Sequence, residues 1–193
     1  MRSIVFAASL AALSVTAPTP HQTQPHQTRQ QPAGSPQLDV LFVQLAKAGS
    51  GDEAKPIEDQ ILTLFLESGS ASVDLLMTRA AAALAGGDMD TARQLLDVVT
   101  KVAPDYAEGW HQRGKLQVLA GDDEGAIFSL QKAVTLNPRQ FAAMAELGAI
   151  LEEYGDKRDA LRLLRRVDSL DRHFGDVDRE VQQLSRDVEG ERI

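Results

Sequence analysis

The chain has no cysteine, which excludes disulfides, thiolate metal sites, a cysteine nucleophile and a lipid-modified N-terminal cysteine. Aromatic residues are scarce, at 5%, while Ala and Leu dominate a hydrophobic fraction of 43%. That palette suits helices packed closely on one another and suits a sheet poorly. Positive charge is also short. Twenty Lys and Arg stand against 28 Asp and Glu, for a formal net charge of -8, so phosphate neutralisation and with it nucleic-acid binding are disfavoured. Histidine is limited to His21, His26, His111 and His173. No phosphate-cradling glycine loop, metalloprotease helix or nucleophile elbow occurs. Carboxylates are plentiful but fall at helix starts and on exposed faces, and the adjacent Glu152 and Glu153 point in different directions on a helix. These absences argue against an enzyme and call for no cofactor and no metal.

Long hydrophobic runs are missing too, except near the start. Ile4–Val15 follows Arg2 and leads into Val15-Thr16-Ala17, the plan of a signal peptide over residues 1–17, cut after Ala17. The run is shorter than the roughly 20 apolar residues of a spanning helix. The expectation is an exported protein with no membrane span once the leader is removed. Residues 18–37 carry Pro18, Pro20, Pro25, Pro32 and Pro36 with one charge, Arg29. Without apolar periodicity such a segment cannot offset its ordering entropy, which predicts a disordered Pro/Gln-rich linker. His21 and His26 lie in it as isolated residues and make no selective metal site.

What the chain does contain is a period. Gly87-Asp88, Gly121-Asp122 and Gly155-Asp156 are each 34 residues apart, as are Ala92, Ala126 and Ala160, and Leu62, Leu96, Leu130 and Leu164. Pro104 and Pro138 share that spacing, as do Gly114 and Gly148. The stretch Ala107–Pro138 reads as two amphipathic helices around a Gly-Asp turn. Asp88, Asp122 and Asp156 each sit where a second helix begins, as caps. Asp105 with Glu108 forms a capping-box pattern, and Ser72 is placed to cap the helix that follows it.

A 34-residue period of these residue types resembles the tetratricopeptide repeat, a helix–turn–helix unit. The resemblance covers Val73 to about Phe174. The family pattern asks for a large apolar residue early in the first helix, here Leu76, Trp110 and Met144. It asks for a small residue where paired helices cross, here Ala80, Gly114 and Gly148. Val99, Ala133 and Val167 meet its later apolar or small positions. Ala83, Gln117 and Leu151 depart from an often aromatic position, and Arg172 replaces the third closing proline. The implied fold is all-α: a solenoid of antiparallel helix hairpins, with repeats at 73–106, 107–140 and 141–174. In the same frame Ala46 aligns with Ala80 and Leu62 with Leu96, so residues 38–72 read as a divergent first hairpin, its second helix starting at Pro56. Residues 175–193 hold a closing helix, Asp176–Val188, whose narrow stripe of Val177, Val181, Leu184 and Val188 caps the last apolar face.

In this family the first helices of the repeats line a concave groove that binds protein segments. Carried over, the groove positions are Met77, Ala81 and Leu84, then His111, Lys115 and Val118, then Ala145, Ala149 and Glu152. His111 and Lys115, one turn apart, are placed to hold a partner's carboxylate. Asp74, Glu108, Glu146 and Glu152 oppose an anionic ligand, so a clamp for acidic chaperone tails does not fit. A small, apolar groove with an acidic rim suits a helix or an extended apolar segment. Arg158, Arg162 and Arg165 form a basic stripe that Asp159 and Asp168 turn into a solvated, ion-paired face. The resemblance extends to small exported bacterial tetratricopeptide proteins. It implies a non-enzymatic protein-binding adaptor or scaffold in a Gram-negative periplasm, with a structural self-association module of the cell envelope as the alternative.

Overall fold

The computed structural model of the chain describes residues 35–190. The expected signal peptide, residues 18–34 of the expected linker and residues 191–193 lie outside the described residues. Within them the chain forms α1 (Pro36–Leu45), α2 (Gly51–Phe65), α3 (Ala71–Ala85), α4 (Met89–Val102), α5 (Ala107–Leu119), α6 (Asp123–Leu136), α7 (Phe141–Glu153), α8 (Lys157–Leu170) and α9 (Val177–Gly190). No strand occurs among the described residues. From α3 to α9 each helix stacks on the next in chain order.

The 34-residue period has a local cause. Gly87, Gly121 and Gly155 take φ of 78°, 72° and 84°, a left-handed conformation that closes a helix at little steric cost only for glycine. The following amide then bonds back across the turn: Asp88 N to Ala83 O at 2.8 Å, Asp122 N to Gln117 O at 2.9 Å and Asp156 N to Leu151 O at 2.8 Å. The same three aspartates accept from the amides of Thr91, Gly125 and Asp159 at 3.0, 3.0 and 3.3 Å and cap the next helix. One Gly-Asp pair therefore ends one helix and starts another.

The crossing positions are tight. Ala80, Ala92, Ala126 and Ala160 are buried. A Cβ added at Gly114 would lie 2.8 Å from Leu130 Cγ, whereas one at Gly148 would meet Leu164 only at 3.4 Å. The departure at Gln117 is a polar bracket. Its Oε1 accepts from Ser129 at 2.6 Å and from Arg113 at 3.2 Å, and its Nε2 donates to Asp122 at 2.9 Å. Arg113 in turn pairs with Asp97 at 2.8 Å, tying α4, α5 and α6 together.

Two helix starts differ from expectation. α3 begins after Ser70, not Ser72, and makes no side-chain cap. α5 begins after Tyr106, one residue later than the Asp105 cap expected, and has no side-chain cap, while Glu108 is buried. Of the basic stripe, Arg162 pairs with its neighbour Asp159 at 2.9 Å and Arg165 donates to Ser185 of α9 at 3.0 Å. In α9, Val177, Leu184 and Val188 are buried and Val181 is half-buried, and the helix packs on α8.

The first hairpin departs furthest. Helix α1 starts as the Ser35-Pro36 pair implies, with Ser35 accepting from Leu38 N at 3.2 Å as its cap, so Pro36 and Gln37 belong to the fold and not to the linker. Helix α2 starts at Ser50, whose hydroxyl accepts from Glu53 N at 3.3 Å, and leaves Pro56 inside the helix. Ala46 is exposed beyond the end of α1 and occupies no crossing position. The buried stripe of α2 is Ala54, Glu58, Ile61 and Phe65, and Leu62, aligned above with the buried Leu96, is only half-buried. More importantly, α2 does not stack closely on α3. Its apolar face, with Leu38, Leu41 and Leu45 of α1, joins a core containing Phe141, Met144, Leu161, Leu164 and Val177.

Candidate binding groove

The groove residues stand on the first helices of the repeats, α3, α5 and α7, at positions set by the 34-residue frame. Met77, Ala81 and Leu84 come together in one open pocket of about 550 Å³. Leu66 from the end of α2 closes one side, Ala80 and Leu96 lie beneath, and Asp74, Thr78 and Gln112 supply the polar edge. The wall is mostly aliphatic. Leu66 is 47% exposed beside it, so the pocket offers apolar surface to solvent at a defined place.

On α3 Met77 is buried, Ala81 is exposed and Leu84 is half-buried, whereas on α5 and α7 exposure follows a gradient. Lys115 and Val118 of α5 and Ala149 and Glu152 of α7, towards the Gly-Asp turns, are exposed. Glu152 lies against a separate shallow polar depression with Asp176, Arg179, Glu180 and Gln183. At the opposite end of the same helices Glu108, His111 and Ala142 are buried and Ala145 is half-buried. The groove is therefore open over only part of its length.

His111 corrects the expectation that it offers its ring to a partner. Only 3% exposed, it sits between the protein's own carboxylates. Nδ1 lies 3.2 Å from Glu108 Oε2, and Nε2 lies 3.3 Å from Glu146 Oε2 on the neighbouring repeat. Glu108 also accepts from Gln112 at 2.6 Å and from Gln140. Burial works against the imidazolium, but Glu108 and Glu146 outweigh it and push the His111 pKa up from its ordinary 6.5 to about 9. His111 is thus a buried cation that joins α5 to α7. Lys115 stands alone of the pair on the open surface.

The buried end of the groove lies by the turns that link one repeat to the next, and the first hairpin crosses all three. Tyr106, in the α4–α5 turn, donates its hydroxyl to Leu66 O at 2.8 Å. Burial, with Glu108 and Asp74 nearby, raises its pKa, so it stays a donor. Arg139, in the α6–α7 turn, pairs with Asp39 at 2.7 Å and stacks 4.8 Å above the Phe42 ring. His173, in the α8–α9 turn, places Nε2 3.1 Å from Ala48 O. Phe141 is the hub, with ring centroids 6.4 Å from Phe42, 6.5 Å from Phe65 and 4.9 Å from Phe174. No groove position was assigned to Glu58, Tyr106, Phe141 or Asp171 from sequence. Two signals were available, the loss of Gly-Asp register in residues 38–72 and Glu58 standing where the repeats have Ala92, Ala126 and Ala160, and they mark that hairpin as different without saying where it docks.

No family model matches the chain. A curated TPR repeat-containing protein of Rhizobium etli is 32% identical over 129 residues, covering 67% of this chain. The chain spans 63% of that relative's length. Among solved structures, MamA superposes with a TM-score of 0.55 at 18% identity, covering 79% of this chain and 82% of that one. The TPR2B domain of yeast Sti1, solved as a complex with pHsp70, gives a TM-score of 0.53 at 20% identity, covering 64% of this chain and all of that one. At these identities the structures establish the fold alone. The Rhizobium relative, with the 34-residue period, the Gly-Asp turns and the stacked hairpins, places the chain in the tetratricopeptide-repeat family.

Proposed function

We propose that the protein is a non-enzymatic adaptor that binds a protein segment in the open part of its concave groove. The pocket formed by Leu66, Met77, Ala81, Leu84 and Leu96 carries this reading, because it presents aliphatic surface to solvent where the repeat fold places a recognition groove. Val118 and Ala149 extend the exposed wall along α5 and α7, and Asp74 and Lys115 set its charged edges. A partner suited to this site offers two or three aliphatic side chains from a helix or extended strand. Export to a Gram-negative periplasm rests on the leader-like start of the chain. Among the described residues no helix is long and apolar enough to cross a membrane.

A photo-crosslinker placed at Ala81 in the native host tests the reading. It should capture a discrete partner, and Thr78→Arg with Ala149→Arg, on exposed positions of the same wall, should abolish capture while helicity is unchanged. Capture that survives both substitutions would move the site elsewhere. Self-association, the second reading, has its own support in Val98, Val102 and Phe128, which are exposed on α4 and α6. Light scattering that finds one monomeric mass across concentration would remove it.

A further inference from the structure

The first hairpin is a helical unit connected to the array without being one of its stacked repeats. At about 1.5 Å per residue, α2 reaches some 22 Å, and its two ends meet turns at opposite limits of the span. Ala48, just before it, touches His173, and Leu66, just after it, touches Tyr106. The side it buries has a definite pattern: Ala54, Glu58, Ile61 and Phe65, at i, i+4, i+7 and i+11. This is the stripe by which an amphipathic helix docks in a groove. The connection to α3 is short and polar, Glu67-Ser68-Gly69-Ser70, fastened where Ser68 donates to Asp74 from its amide at 3.0 Å and from its hydroxyl at 2.5 Å.

The docked surface also contains a conflict. Glu58 is 4% exposed and Asp171 is 1% exposed. Burial and the Asp171 carboxyl together raise the Glu58 pKa, against a weaker opposing pull from Lys55. Lys55 reaches Glu58 at 3.5 Å but stays closer to Asp59, at 3.0 Å. Asp171 accepts from His173 N at 3.0 Å through one oxygen, while the other has no hydrogen-bond partner. Two carboxyls buried together in this way weaken an interface that Phe65 and Ile61 otherwise hold.

We propose that the edge of the array formed by the α4–α5, α6–α7 and α8–α9 turns is a second, helix-binding surface, with α2 as its resident occupant. The external ligand class is an amphipathic helix carrying the α2 stripe, a small residue, an acid, Ile and Phe at those spacings, which competes for Phe141 and Tyr106 when α1–α2 lifts away. The proposal rests on the array being a binding scaffold but not on the pocket at Ala81. It concerns the half of the groove that is closed in this structure.

The probe is a fluorescent peptide of residues 51–66 titrated into the full chain. Phe65→Ala loosens the α1–α2 strap and leaves its docking surface intact, and Glu58→Gln replaces one of the two buried carboxyls with an amide and tightens it. The expected result is peptide binding at least ten-fold tighter to Phe65→Ala than to the unchanged protein, and no tighter to Glu58→Gln. A peptide with Ser in place of Ile61 and Phe65 should not bind. Equal, absent or stripe-independent binding would overturn the proposal. So would a dimer of Phe65→Ala that excess peptide does not dissociate. Hydrogen exchange on the unchanged protein covers the case in which Phe65→Ala fails to fold. Amides of α1 and α2 should exchange at least ten-fold faster than those of α5–α8, and exchange at one common rate would refute a strap that opens separately. Peptide binding without capture at Ala81 would uphold this surface and reject the pocket, and the converse result would do the reverse.

Discussion

Two helical hairpins of this chain, α1–α2 and α5–α6, are built from the same kind of sequence and end in different kinds of place. The α5–α6 hairpin turns on Gly121-Asp122, packs Gly114 against Leu130 and stacks between its chain neighbours. The α1–α2 hairpin has no such turn, leaves Ala46 exposed and crosses to the far side of its own array to pack on Phe141. The difference teaches that stacking in a repeat fold is specified by small residues at helix crossings, since they set how closely two axes approach. A hairpin without them needs another surface for its apolar face. Here that surface is a line of turns whose aromatic and polar residues, Tyr106, Arg139, Phe141 and His173, project towards it.

The comparison can be broken most severely at Phe141. Its side chain is fully buried where Phe42, Phe65 and Phe174 meet, so Phe141→Ala should cost about 3–5 kcal/mol in urea unfolding and free the first hairpin. Phe128→Ala is the control on the ladder. Phe128 is 52% exposed, meets Trp110 edge-on at 5.8 Å and lies 5.9 Å from Lys132 Nζ, so the loss should stay below about 1 kcal/mol. A smaller effect at Phe141 than at Phe128 would mean that the strap contributes nothing to the fold.

The two crossing glycines sharpen the account of stacking. Gly114→Ala drives a methyl into Leu130 and should lower stability by about 1–2 kcal/mol after the gain in helix propensity is counted. Gly148→Ala meets Leu164 at ordinary contact distance and should be neutral or stabilising by up to about 1 kcal/mol. Thermal melts of the pair check this, and equal losses would show that crossing distance is not what the small residue supplies.

His111 links the repeats by charge. Its pKa in the folded chain, about 9, lies above the ordinary 6.5, so the stabilisation is complete below about pH 6.5 and is lost as pH rises towards 9. Denaturant titrations across that range should show a decline on the order of 2 kcal/mol that His111→Gln removes. A decline that persists in His111→Gln would assign it to another group. The smallest stability effect belongs to Ala81→Arg, within about 0.5 kcal/mol on an exposed position, although the same change should close the pocket to a partner.

The period, the turn chemistry and the capping aspartates were legible in the sequence because each depends on residues within one turn of the chain. Gly121 supplies a left-handed φ and Asp122 caps the next helix whatever packs around them. The apolar stripe of α9 was legible for the same reason. His111 was misjudged because its surroundings come from three places, Glu108 on its own helix, Gln140 in the next turn and Glu146 on the next repeat. From position alone it looked like a groove residue open to a ligand.

By itself, then, the sequence determined that the protein is all-helical, that its repeats turn at Gly-Asp and cross at Ala80, Gly114 and Gly148, and that their first helices share one face. Short-range hydrogen bonds and side-chain volume are enough for that. Tertiary structure alone decided that half of this face is closed, that His111 is an internal cation and that Glu58 confronts Asp171. Those outcomes depend on burial and on partners as far as 125 residues apart in the chain (Ala48 and His173), where no local pattern records which apolar surface a free hairpin will choose.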